Sequence, residues 1–204
     1  MGKAPGVFCL EGDWEESIES RLSIEPALRL LEARDSIRLV HRDVATRAEL
    51  EYYFDKWLTG RLRSYTFGYL GFHGTDQTLW IGNENVTLDE LGEMLRGRCK
   101  GRVIYFGACG VLAAEGDVLQ KFCRQTGARA VAGYTRDIDW VEGAAFELLL
   151  VQKLSWATNM KPAFDWLNRE YPDLTRKLGF RMAHSSWSSD RTVAVRAAKH
   201  LENE

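Results

Sequence analysis

The chain has 204 residues, enough for one well-buried core and rather long for two, so we predict a single domain over residues 1–204. Its 27 basic and 29 acidic residues are mixed along the whole length and give a net charge of −2, which argues against nucleic acid or an anionic membrane as the partner. No stretch approaches the roughly 18 apolar residues of a membrane span, and the opening turns acidic where a signal peptide stays apolar, so we expect a cytoplasmic protein without direct membrane insertion.

Strand-like and helix-like segments alternate from one end of the chain to the other. The expected strands are apolar runs bounded by Gly or polar residues, and they cover 6–12, 36–44, 66–75, 102–112, 128–135 and 180–186. The expected helices carry apolar residues at helical spacing, and they cover 13–22, 25–34, 46–58, 87–96, 117–127, 140–154 and 164–178. This order predicts an α/β fold: a three-layer sandwich with an about six-stranded, mostly parallel sheet and helices on both faces.

Local signals mark several element ends. Thr46 with Glu49, and Thr87 with Glu90, have the spacing of capping boxes, so a helix should begin at each. The segment 78–88 alternates apolar residues around a turn rich in Gly and Asn, which predicts a short hairpin. Beyond Trp187 the chain is polar, and we expect a polar helix or a frayed end there.

A histidine and a cysteine stand at the carboxyl ends of two consecutive strands. His73 closes the apolar run "TFGYLGFHGT", and Cys109 follows "RVIYFG". Consecutive strands joined by a right-handed crossover usually lie side by side, about 4.8 Å apart, and ligands bind outside the carboxyl ends of a parallel sheet. A thiol and an imidazole placed there form a nucleophile and a general acid/base for acyl transfer.

Small residues surround this pair. The approach to Cys109 is lined by the small residues Gly107, Ala108 and Gly110, which leave the thiol accessible. Gly74 has no side chain to cover its N–H beside His73. The Gly74 and Cys109 N–H groups could together hold the oxyanion of a tetrahedral intermediate, an arrangement worth about 2.7–4 kcal/mol per donor. A cysteine in an apolar strand is more often a small core residue, and that is how we interpret Cys9, Cys99 and Cys123. Their spacing indicates neither a zinc site nor a disulfide framework.

The two motifs "LGFHGT" and "IYFGACG" resemble those of the caspase-like (clan CD) cysteine peptidases, in which one apolar strand ends in His-Gly and a following strand ends in a small residue and the catalytic Cys. The insert 78–95 between them is similar to that of the bacterial CHAT domains. The separation of His73 from Cys109 is shorter than the roughly 50 residues of caspases, which favours a compact CHAT-type member. The resemblance covers about residues 6–150.

The resemblance implies a cysteine endopeptidase, a hydrolase with no cofactor, that cuts a partner protein at a limited number of sites. Among small bacterial CHAT proteins, it implies a part in defence or programmed cell death, with a gasdermin-like pore-forming protein as the substrate. Caspase-type preference for aspartate is not supported, because the caspase motif Q-A-C-x-G is matched only at Ala108 and Cys109.

The resemblance also implies where the side chain preceding the cut would bind, namely between the loops after the first strand and after the strand that follows the cysteine. These loops hold four acids and a tryptophan as candidates for that pocket, Glu11, Asp13, Asp137, Asp139 and Trp140, with Trp14 as a further wall. The acids outnumber the single Arg136, so the pocket should favour Arg or Lys. The alternative is that Asp13 and Asp139 are solvated helix caps.

Two other functions remain open from the sequence. The first is a catalytically silent caspase-like module that binds a protein with the same pocket. The second is a flavodoxin-type domain for a small nucleotide, which is weaker because the segment after the first strand, "EGDW", is acidic and would repel phosphate.

Overall fold

The computed structural model describes residues 3–190. Ten strands lie in that range: β1 (Gly6–Glu11), β2 (Arg38–Asp43), β3 (Phe67–Gly71), β4 (His73–Thr75), β5 (Thr78–Ile81), β6 (Glu84–Thr87), β7 (Val103–Gly107), β8 (Ala130–Tyr134), β9 (Phe180–His184) and β10 (Trp187–Ser188). Seven α-helices lie in the same range: α1 (Glu25–Ala33), α2 (Arg47–Trp57), α3 (Leu88–Met94), α4 (Gly116–Thr126), α5 (Trp140–Trp156), α6 (Met160–Glu170) and α7 (Pro172–Lys177). Within residues 3–190, every helix is too short or too polar to cross a bilayer.

The large sheet has the strand order β10-β9-β8-β7-β3-β1-β2. In this sheet the pairs β2–β1, β1–β3, β3–β7 and β7–β8 are parallel, whereas β8–β9 and β9–β10 are antiparallel. The predicted α/β sandwich with a mostly parallel sheet is confirmed, with β10 as a seventh strand. The predicted hairpin 78–88 is also present, and β4 joins it to make a small antiparallel sheet of order β4-β5-β6.

Two apolar layers cover the large sheet, one on each face. Along β7, Ile104 and Phe106 point into the layer formed with α2, α3 and α4, while Val103 and Tyr105 point into the layer formed with α1, α5 and α6. This alternation follows from the two-residue period of a strand, and it is why a parallel strand buried on both faces reads as a continuous apolar run.

Both capping boxes form as predicted. The Thr46 hydroxyl accepts a hydrogen bond from the Glu49 N–H, and the Thr87 hydroxyl accepts one from the Glu90 N–H. Each cap satisfies backbone donors that the first turn leaves unpaired, and this fixes where α2 and α3 begin.

The helix predicted over 13–22 is wrong, because residues 12–24 form an irregular segment. The Ser17 and Ser20 hydroxyls bond the N–H groups of Glu19 and Leu22, a local alternative to helical hydrogen bonds. Ile18 is fully exposed, so a helix here would bury no apolar face and would gain little from packing.

The single helix predicted over 164–178 is also wrong, because it breaks at Tyr171 into α6 and α7. Pro172 has no N–H to donate, and it drives the preceding residue out of helical geometry, with Tyr171 at φ −130° and ψ 56°. Beyond Trp187, the structure places β10 at residues 187–188. The rest of the predicted polar or frayed tail, residues 191–204, lies outside the described residues.

Candidate active site

His73 and Cys109 come from neighbouring strands. β3 and β7 pair in parallel with Gly71 opposite Gly107, so both chains leave the sheet at the same edge. His73 opens β4 two residues after β3 ends, and Cys109 lies two residues after β7 ends. Both residues line one cavity of about 190 Å³, so the structure brings the two motifs together at one site.

The orientation of His73 is set by the segment that follows β1. Its Nε2 lies 2.9 Å from the Trp14 carbonyl oxygen, and the two rings are in edge-to-face contact with centroids 5.4 Å apart. A carbonyl only accepts hydrogen bonds, so Nε2 must carry the proton. In the neutral ring, Nδ1 is then the basic nitrogen, which assigns the tautomer needed for a general base.

The Cys109 thiol is half-buried and accepts a hydrogen bond from the Ile138 N–H at 3.4 Å. Burial raises its pKa, the Ile138 N–H partly offsets that rise, and the negative charge of Asp137 adds to it. Within residues 3–190, no hydrogen bond joins Cys109 to His73. A thiol in this setting stays protonated near neutral pH, so it needs a base to become a nucleophile.

Gly74 lies against the backbone of the cysteine loop. A Cβ at Gly74 would sit 2.9 Å from the Cys109 carbonyl oxygen and 2.7 Å from Val111 Cγ2, so only glycine allows this approach. Because a two-residue turn joins β4 and β5, Thr75 and Thr78 form a hydrogen-bonded pair, and Gly74 opposite Leu79 does not. By the alternation of an antiparallel ladder, the Gly74 N–H then points away from β5. The Cys109 N–H has no acceptor within the described chain, and Cys109 lines the cavity, whereas Gly74 is not part of its lining.

The four acids expected in the pocket lie elsewhere. The cavity lining includes Trp14 and Trp140 but none of Glu11, Asp13, Asp137 and Asp139. Asp139 caps α5 by accepting the Glu142 N–H at 3.0 Å, which confirms the alternative interpretation for that residue. Asp13 and Asp137 are exposed, and Asp137 is close enough to Cys109 to raise the pKa of the thiol.

Glu11 is a buried anchor for the segment that orients His73. Its carboxylate accepts hydrogen bonds from Trp14 Nε1 (2.5 Å), the Ile24 N–H (2.7 Å), Ser23 Oγ (2.7 Å) and His41 Nε2 (2.7 Å). Burial alone would raise the pKa of Glu11, but these donors, His41 first, lower it. The carboxylate therefore fixes the irregular segment 12–24, and through it the Trp14 carbonyl.

Glu11, His41 and Asp43 also have ligand atoms within 4.8 Å of one another, a spacing that suits a metal ion. Binding a metal there would require Glu11 to give up hydrogen bonds that hold Trp14 and Ile24. Asp43 is exposed, so the group has one fully buried carboxylate only. The group is better explained as a hydrogen-bonded anchor than as a metal centre.

Sequence reasoning missed Glu147, which lines the cavity from α5. It is 4% exposed, and its carboxylate accepts hydrogen bonds from the hydroxyls of Tyr69 (2.5 Å), Tyr105 (2.8 Å) and Tyr134 (3.3 Å). Burial raises the pKa of Glu147, and the three tyrosine donors oppose that rise. The available signal was a lone acid in the apolar run 146–151 of a helix.

Comparison with known proteins identifies a family but no activity. A family model described as a family of unknown function (DUF6642) matches residues 5–184, and the chain therefore belongs to that family. No curated protein matches the chain.

Proposed function

We propose that this DUF6642 member is a cysteine endopeptidase of the caspase-like type, with Cys109 as the nucleophile and His73 as the general acid and base. One observation carries the proposal. His73, whose basic nitrogen Nδ1 is assigned by the Trp14 carbonyl, and Cys109 line the same cavity at the carboxyl edge of β3 and β7. No cofactor is required for this chemistry.

The reaction begins when His73 Nδ1 takes the thiol proton and the Cys109 thiolate attacks the carbonyl carbon of the peptide bond. The N–H groups of Gly74 and Cys109 stabilise the resulting oxyanion. His73, now cationic, donates the proton from Nδ1 to the leaving amine, which leaves an acyl-enzyme on Cys109. A water activated by Nδ1 then hydrolyses the thioester and restores the thiol.

The partner in this proposal is a cytoplasmic protein. The resemblance to bacterial CHAT domains favours a role in defence or cell death and a gasdermin-like substrate. The second function, a silent binding module, uses the same cavity without turnover, and catalysis separates the two.

A nucleotide-binding function has one observation in its favour and a stronger one against it. The five parallel strands lie in the order β2-β1-β3-β7-β8, so β1 and β3 are the neighbours at which the chain order reverses. In such sheets ligands bind between those two strands. The segment 12–24 after β1 is not the start of a helix, however, and it follows Glu11, whose buried carboxylate accepts hydrogen bonds from that same segment. It therefore lacks the helix N-terminus that holds phosphate in such folds.

A library of fluorogenic peptides tests the proposal with four proteins: the wild-type chain, Cys109→Ala, His73→Ala and the control His184→Ala. We expect turnover by the wild type and the control, none by Cys109→Ala, and a rate about 10²–10⁴-fold lower for His73→Ala. Cleavage that survives Cys109→Ala would reject the nucleophile. If no peptide and no gasdermin-like protein is cut, while such a protein still binds, the silent module is the correct function.

A further inference from the structure

The cavity behind Cys109 has the size of one side chain. Its volume is about 190 Å³, below the roughly 300–1,000 Å³ of pockets for drug-sized ligands. Cys109 and His73 contribute to its lining together with Glu147, which is almost completely buried. A residue held at the nucleophile can therefore insert its side chain toward the carboxylate.

The walls suit a long aliphatic stem. Trp14, Trp140, Ile24 and Ile138 supply apolar and aromatic surface. Gly107 makes room for the Tyr69 hydroxyl, since a Cβ there would lie 2.5 Å from its oxygen. Lys and Arg bury such stems against apolar surface while their charged ends seek polar partners.

Glu147 supplies that polar partner. Three tyrosine hydroxyls donate to its carboxylate, but within residues 3–190 no salt bridge joins it to a cationic side chain, and burial keeps its pKa raised. A carboxylate has about four acceptor positions, so one remains after the three tyrosines, and each tyrosine oxygen can itself accept a hydrogen bond. A carboxylate buried without a cation is costly to ionise. An entering ammonium or guanidinium group would supply the missing positive charge and stabilise the ionised form.

We infer that Glu147 is the specificity-determining residue of this site and that the substrate carries Arg or Lys immediately before the cleaved bond. The inference rests on the proposed peptidase function. It moves the source of cationic preference from the surface acids Asp137 and Asp139 to one buried carboxylate on α5. Tyrosines from the adjacent central strands β3, β7 and β8 hold that carboxylate in place, so the group that selects the substrate is fixed against the sheet.

The test compares peptides that differ only in the residue before the reporter group: Arg, Lys, citrulline, Leu and Asp. Citrulline matches Arg in shape but has no charge. We expect the wild type to cleave after Arg and Lys with a kcat/KM about 10- to 100-fold higher than after citrulline, the range for hydrogen bonds to a charged group. Glu147→Gln should reduce that ratio to near one, while Asp137→Asn and Asp139→Asn should leave it unchanged.

A second measurement needs no variant, because Glu147→Gln could disturb the tyrosine cluster. Peptidyl chloromethyl ketones ending in Arg or in citrulline alkylate the wild-type thiol, and we expect the Arg reagent to react with Cys109 at least about tenfold faster. Equal rates, or preferred cleavage after Leu or Asp, would overturn the inference while leaving the peptidase intact. A wild-type chain that cleaves no peptide and shows no selective reaction at Cys109 would reject the proposed function, and this inference with it.

Discussion

Replacing Glu11 with Gln removes the charge from the buried anchor while keeping its shape. The two donors on Oε1, Trp14 Nε1 and the Ile24 N–H, can only donate, so the amide oxygen of Gln must take that position. The amide nitrogen then faces Ser23 Oγ and His41 Nε2. The serine hydroxyl can turn to accept, but His41 accepts at Nε2 only when it is neutral.

The sign of the pH dependence follows from both partners. Burial would lower the pKa of His41, but the hydrogen bond and charge of Glu11 raise it above its ordinary value of 6.5. Its contribution to stability is complete below pH 6.5 and is lost as pH rises through the raised pKa. The pKa of Glu11 is lowered from 4.5, so its contribution is complete above pH 4.5 and is lost as pH falls through the lowered pKa. The pair therefore stabilises the fold most between pH 4.5 and 6.5.

A lost hydrogen bond between charged groups costs about 1.5–3 kcal/mol, and for a chain of this length that corresponds to a fall in Tm of about 3–12 °C. We expect this loss for Glu11→Gln at about pH 5.5 and a clearly smaller one at about pH 8.5, measured by thermal unfolding. Glu25→Gln is the matched control, because Glu25 lies 3.6 Å from His41 Nδ1 on the exposed side and should change Tm little. Equal losses at both pH values would refute a charged Glu11–His41 pair.

Three further substitutions test separate parts of the site. Cys109→Ala should abolish peptide turnover and change the free energy of unfolding by less than about 1 kcal/mol, because the side chain is small and half-buried; a large loss of stability would instead make it a packing residue. Gly74→Val should lower turnover at least about tenfold and destabilise the fold by about 1–3 kcal/mol, since its Cβ would meet Val111 and the Cys109 carbonyl. Normal turnover with a normal Tm would show that this close approach is unimportant. Asp139→Ala should cost about 1 kcal/mol as a lost helix cap and leave substrate preference unchanged in the peptide panel, and a changed preference would return Asp139 to the pocket.

Local chemistry explains what the sequence could predict. The apolar runs around Val103 and Phe67 bury both faces of their strands, and the Thr46 and Thr87 boxes define helix starts within a few residues. The meeting of His73 and Cys109 followed from the crossover rule alone, since it needs only the adjacency of two strand ends. Failures occurred where local hydrogen bonds competed with a helix, as in residues 12–24.

The electrostatics of the site depend on contacts that no local pattern carries. Glu11 has the same acidic character in sequence as Asp13, yet its partners reach as far as His41 on the next strand. Glu147 is held by tyrosines on β3, β7 and β8, three strands that are far apart in the sequence but neighbours in the sheet. The acids in the loops after β1 and β8 were therefore a poor guide to the charged groups that line the cavity.

The coupling of His73 and Cys109 is tested most directly by how fast iodoacetamide alkylates Cys109 near neutral pH. The rate is followed by mass spectrometry in the wild type and in His73→Ala. The three buried cysteines, Cys9, Cys99 and Cys123, serve as references within the same molecule. Because burial raises the pKa of the Cys109 thiol, rapid reaction requires His73 as its base. We predict that Cys109 reacts much faster than the other three and that His73→Ala removes most of this difference. Slow and equal labelling of all four thiols, or a Cys109 rate unchanged by His73→Ala, would contradict the catalytic pair.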